Sequence, residues 1–179
     1  MTCLPSLALA FLVALAAPAA ETPNLIPNPG FELDENADGV PDGWRFEWEF
    51  THSGDRQLQS RKEQPESKCD ESAARSGRRG AFIANRRKPD DGVWSMENVP
   101  VPQGVKYFKL QAWIKTRDMK DTRALVAVIF QGDARKWLGA DYDAIAVDTD
   151  RDWTLYTGYL APPPGTRTLR IRLWLNMGY

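Results

Sequence analysis

Oxygen-bearing side chains recur at alternate positions in one short stretch: Asp34, Asn36, Asp38 and, past Gly39 and Val40, Asp42. Alternation lets such groups point into one small cavity, and the glycine permits the sharp turn a hard cation needs. In the helix-loop-helix calcium pattern these four residues take positions 1, 3, 5 and 9, and the Val40 carbonyl takes position 7. Position 12 of that pattern should be a bidentate Glu but falls on Arg45. Pro41 and a strand-like run from Trp44 also leave no place for flanking helices. The stretch reads as a free-standing loop for a structural calcium ion, with Glu32 or Glu47 as further ligands. The alternative is a turn without an ion, because Asp, Asn and Gly make turns unaided.

Sugar recognition is the second chemistry on offer. A sugar ring presents apolar C–H faces and a fringe of hydroxyls, so it needs exposed aromatic planes beside planar polar groups. Trp113 stands among Lys109, Gln111 and Lys115, and Trp174 among Arg170, Arg172 and Asn176. In both cases the tryptophan lies on the polar side of an alternating strand. Trp94 and Trp137 are the loop-tip alternative. Glu47, Glu49, Glu97, Asp141 and Asp143 could supply the carboxylate pair of a glycosidase. Acids on strand faces are ordinarily solvated, however, and nothing in the sequence singles out one of raised pKa. The expectation is a noncatalytic module. The lone His52 has no triad partner in sequence, and Cys69, in a charged stretch, reads as an incidental surface thiol.

The elements that must hold these groups are strands. Residues 44–50 alternate strictly, Trp44, Phe46, Trp48 and Phe50 against Arg45, Glu47 and Glu49. Residues 80–85 and 93–99 are short strand candidates, and 105–116 is the longest, with Phe108, Leu110, Ala112 and Ile114 on its apolar side. Residues 124–131 are apolar on both faces, as a central strand requires. Residues 153–160 and 168–176 complete the set, and the segment 132–143 reads as a loop. A first strand is expected at 25–32, and a long charged loop at 52–80. Short strands with Pro/Gly turns and no helical period predict an all-β sandwich.

With 179 residues the chain suits one domain, and its formal net charge of −1 predicts no bulk attraction to nucleic acid. Seven tryptophans against one histidine favour a binding surface over histidine chemistry. Residues 1–20 carry a short apolar run and small residues near Ala17, Ala19 and Ala20, although no Lys or Arg precedes it. This reads as a secretory signal peptide and not a membrane span, which leaves 21–179 as the exported domain, secreted or at the cell surface.

The order of the pieces is itself informative. NPGFE and a D-G-x-P-x-G-W loop are followed by SGRRGAFI, VWSMENVPVPQGVKYFKLQAWIKTRD and DRDWTLYTGYLAPPPGTRTLRIRLWL. Together they resemble carbohydrate-binding modules of the family 4/9/22 type, which have a galactose-binding-like jelly roll. The resemblance covers most of residues 24–176. It implies a structural calcium ion and a polysaccharide or glycan site on one sheet face or at loop tips. A closing strand usual in that family does not follow residue 176, so the domain reads as truncated and as part of a larger exported enzyme or surface protein. A structural or protein-interaction sandwich without sugar affinity is the alternative function.

Overall fold

The strict alternations of the sequence become strands in the computed structural model, which describes residues 23–49, 65–84 and 91–177. The predicted signal peptide lies outside the described residues. Nine strands are present among them: β1 (Trp44–Glu49), β2 (Glu66–Asp70), β3 (Gly80–Ala84), β4 (Asp91–Pro100), β5 (Phe108–Thr116), β6 (Thr122–Gln131), β7 (Trp137–Val147), β8 (Arg151–Leu160) and β9 (Thr168–Met177). All pairings are antiparallel.

Three sheets result. Five strands pair in the order β1-β4-β9-β6-β7, while β5 pairs with β8 and β2 with β3. The fold is an all-β sandwich, as the sequence predicts. The core lies between the five-stranded sheet and the β5–β8 pair. Trp94, Met96, Val126, Val128, Phe130 and Ile171 come from one side and Leu110 and Leu160 from the other. Strand β6 is buried on both faces, with Leu125 and Ala127 covered as well as Val126 and Val128. That explains its lack of polar alternation.

Three local expectations are corrected. Residues 25–32 form no strand. Phe31 adopts the left-handed conformation (φ 63°), which breaks an extended run. The Asn28 side chain there replaces a strand partner, donating to the Leu33 and Asp42 carbonyls and accepting from Leu33 N–H. Trp44 closes the unit by donating its indole N–H to the Asn28 carbonyl at 2.9 Å. Within the predicted 52–80 loop, β2 pairs with β3, and Cys69 is buried in the core cluster instead of lying on the surface. Finally, residues 137–143 of the expected 132–143 loop belong to strand β7.

One close approach joins the two main layers. A Cβ at Gly158 of β8 would stand 2.6 Å from the Ala144 carbonyl oxygen of β7. Only a residue without a side chain lets these backbones come so near.

Candidate functional site

Strand pairing decides which polar groups share a surface. In the β5–β8 pair, Lys109 lies opposite Tyr159, Gln111 opposite Thr157 and Trp113 opposite Leu155. These residues occupy the side away from the core, because Leu110 and Leu160 take the other. Three aromatic side chains are open to solvent on or beside this face: Tyr107 (72 % exposed), Tyr159 (72 %) and Trp113 (44 %). Gln111 Nε2 donates to Thr157 Oγ1 at 3.3 Å, which orients its amide between the aromatic ends. The Arg75 guanidinium stands over the Trp113 indole, 3.4 Å from the ring centroid. Lys115 is bound to Asp152 at 2.7 Å, and that contact holds the Asp152 carboxyl below the usual range.

The outward face of the five-stranded sheet is different in kind. Arg45 pairs with Glu47 and, at 2.7 Å, with Glu97. Arg170 pairs with Glu47 at 2.5 Å and approaches Glu97 at 3.5 Å, and Arg135 approaches Glu97 at 3.6 Å. Arg172 is buried, which pulls its pKa down, while Glu47 at 3.9 Å opposes that effect. Asn176 donates to Asp91 at 3.3 Å. Trp174 is half-buried, and Tyr142 packs edge-on against it with ring centroids 6.4 Å apart. The Trp174 indole N–H is buried without a hydrogen-bond partner among the described residues. This face is a network of mutually paired charges, and a ligand would have to break it.

An open groove of about 540 Å³ runs along the β7–β8 edge, lined by Asp141, Tyr142, Asp143, Tyr159 and Phe130 among others. Strand β7 bulges there. Val126 pairs with Ile145 but Val128 with Asp141, so two extra β7 residues are accommodated between them. Bulges of this kind re-aim side chains. The groove meets the β5–β8 face at Tyr159.

The predicted glycan-binding residues are therefore distributed over both sides of the sandwich. Lys109, Gln111 and Trp113 share one surface, whereas Arg172, Trp174 and Asn176 share the opposite one, across the core. The two sets cannot grip one ring together. Trp94 is corrected to a core residue: it is 2 % exposed, donates its indole N–H to the Phe82 carbonyl and meets Phe46 edge-on. Trp137 is exposed at the start of β7 and belongs to neither set. Sequence reasoning missed Tyr159 and Arg75. Tyr159 was legible as an alternating outward position of β8, but its register with Lys109 was not. Arg75 reaches Trp113 from the β2–β3 connection, which no local pattern foretells.

In the expected calcium loop, the carboxylates of Glu32, Asp34, Asp38 and Asp42 are already engaged. Asp34 accepts from Arg79 at 2.7 Å and from the N–H groups of Asp38 and Gly39. The Arg79 hydrogen bond holds the Asp34 pKa below its ordinary value, against the opposing effect of burial. Glu32 accepts from the N–H groups of Arg78 and Arg79, and Asp42 from that of Glu35. Asn36 donates to Asp38, whose other oxygen accepts from Val40 N–H. Among the described residues no three acidic, His or Cys side chains converge as a cation cage requires. As arranged, these residues do not fit a calcium ion.

No protein-family model and no curated protein matches the chain. Among solved structures, it is similar to the crystal structure of the bacteriophage CBA120 tailspike protein 4 enzymatically active domain. The TM-score is 0.62 at 12 % identity, over 86 % of this chain and 19 % of that one. The likeness is one of fold. This chain thus spans about a fifth of the length of that protein chain. The comparison corrects the noncatalytic expectation, because the same sandwich occurs inside a domain described as enzymatically active. The all-β sandwich stands, while the finer likeness to a carbohydrate-binding module remains a resemblance of sequence motifs.

Proposed function

We propose that the chain is a polysaccharide-recognising β-sandwich belonging to a larger exported enzyme, and that it binds glycan on the outward face of β5 and β8. The observation that carries this reading is the set of exposed aromatic side chains, Tyr107, Trp113 and Tyr159, with the Gln111–Thr157 pair among them. A ring packed on Tyr159 would have the Gln111 amide and Lys109 within the same strand pair to meet its hydroxyls. The apolar run and small residues of 1–20 support export.

Affinity electrophoresis through gels containing soluble polysaccharides tests the reading. Retardation of the wild-type chain should weaken about tenfold in Tyr159→Ala, the loss of roughly 1.4 kcal/mol of stacking. Far-ultraviolet dichroism should show the variant still folded. Undiminished retardation in both Tyr159→Ala and Trp113→Ala would place the site elsewhere. Incubation of the retained polysaccharide with the chain, followed by an assay for new reducing ends, tests whether this segment itself takes part in cleavage.

A further inference from the structure

Arg75 follows the short 3-10 turn Glu71–Ala73 and is exposed, yet its guanidinium is fixed over Trp113 at 3.4 Å from the ring centroid. Stacking of this kind orients a guanidinium while leaving its N–H fork unused. Among the described residues Arg75 has no carboxylate partner, and neither has Lys109, four residues before Trp113 on the same outward side. The exposed Lys106 adds a further cation beside Tyr107. Lys115 differs, because Asp152 neutralises it. The face therefore carries oriented positive charge that no carboxylate among the described residues satisfies.

From this geometry we infer that the polysaccharide bound by the β5–β8 face is anionic, a polymer bearing carboxylate or sulfate groups. Arg75 receives one anionic group through its fork, as arginine does with planar oxyanions. Lys109 receives a second. Lys109 and Trp113 are four positions apart on the strand, about 14 Å at the rise of an antiparallel strand. A polymer with repeating charge spans that distance, and a single acidic sugar does not. Sugar hydroxyls fall to Gln111 and Thr157, and C–H faces to the tyrosines. Single-stranded nucleic acid also combines anionic and stacking groups, and the oligothymidylate arm of the test below separates it from a polysaccharide. The inference rests on the glycan-binding reading above.

The test compares retardation of the whole chain by polygalacturonate, alginate and chondroitin sulfate with that by carboxyl-reduced polygalacturonate, poly-glutamate and an oligothymidylate. At least one anionic polysaccharide should retard the chain about tenfold more strongly than the reduced polymer does. Added salt should weaken that binding, and Arg75→Gln and Lys109→Gln should each weaken it several-fold. Equal retardation by a neutral polysaccharide, unchanged in both Gln variants, overturns the anionic class while leaving the glycan reading intact. Equal retardation by poly-glutamate or oligothymidylate overturns it in favour of general charge attraction or nucleic acid. Absence of retardation by every polysaccharide, charged or neutral, overturns both readings.

Discussion

Asp34 shows how one residue type can suggest two chemistries. In sequence it is the first oxygen of a calcium loop, while in the fold its carboxylate is held by Arg79 and two N–H groups. Spacing places oxygens close to one another but does not say which donor reaches them first, and Arg79 comes from 45 residues away. Because the folded-state pKa of Asp34 is depressed, the pair contributes stability above the unfolded value of about 4. That stability is lost as pH falls through the folded pKa. Asp34→Asn should therefore lower the melting temperature at pH 7 and flatten its decline below pH 4, read by calorimetry across pH. Chelation followed by calcium re-addition should leave the wild-type melt unchanged; a rise on re-addition would restore the ion to this loop. Cys69 is a second case. Burial pushes its thiol up to about 11, so it stays protonated at neutral pH. A thiol reagent should label it only on unfolding, in a time course that follows the denaturant transition.

At the scale of the element, legibility tracked the side on which a strand is wet. Strands β1 and β5 bury one face and open the other to water, and β9 sets polar residues opposite its core face, so alternation marks all three. Strand β2 was hidden because its residues, Glu66–Asp70, are mostly polar and form a strand only through pairing with β3. The start of β7 was hidden by Gly139 and the bulge, which interrupt the period that would have marked it. Gly158 is a constraint on two elements at once. Gly158→Ala puts a methyl group against the Ala144 carbonyl, and the resulting overpacking should cost about 1–3 kcal/mol. Urea melts should show this as a lower midpoint at unchanged slope. A neutral effect would mean that β8 and β7 can separate without loss.

At the scale of the whole molecule, the two tryptophans most suggestive in sequence are separated by the core. Each lies on the side of its strand away from the core, but sequence contains no register between β5 and β9, which share no sheet. Trp174→Ala should leave polysaccharide retention unchanged and lower the melting temperature, because Trp174 packs against Tyr142 beside the Arg–Glu network. Combined with Tyr159→Ala, retention should fall no further than in Tyr159→Ala alone. Loss of retention in Trp174→Ala at full stability would move the site to the five-stranded face.

Strand β9 occupies the middle of that five-stranded sheet, between β4 and β6, although it comes last in sequence among the described strands. Until residues 168–177 emerge, β1–β4 and β6–β7 are two hairpin-like fragments with open edges and half a core each. The five-stranded sheet thus cannot close until β9 has been made, and edges exposed this way invite pairing with the wrong chain. Ladders that depend on such distant partners also form slowly. For a chain read as exported, that delay is compatible with passage through a translocation channel, which requires an unfolded substrate.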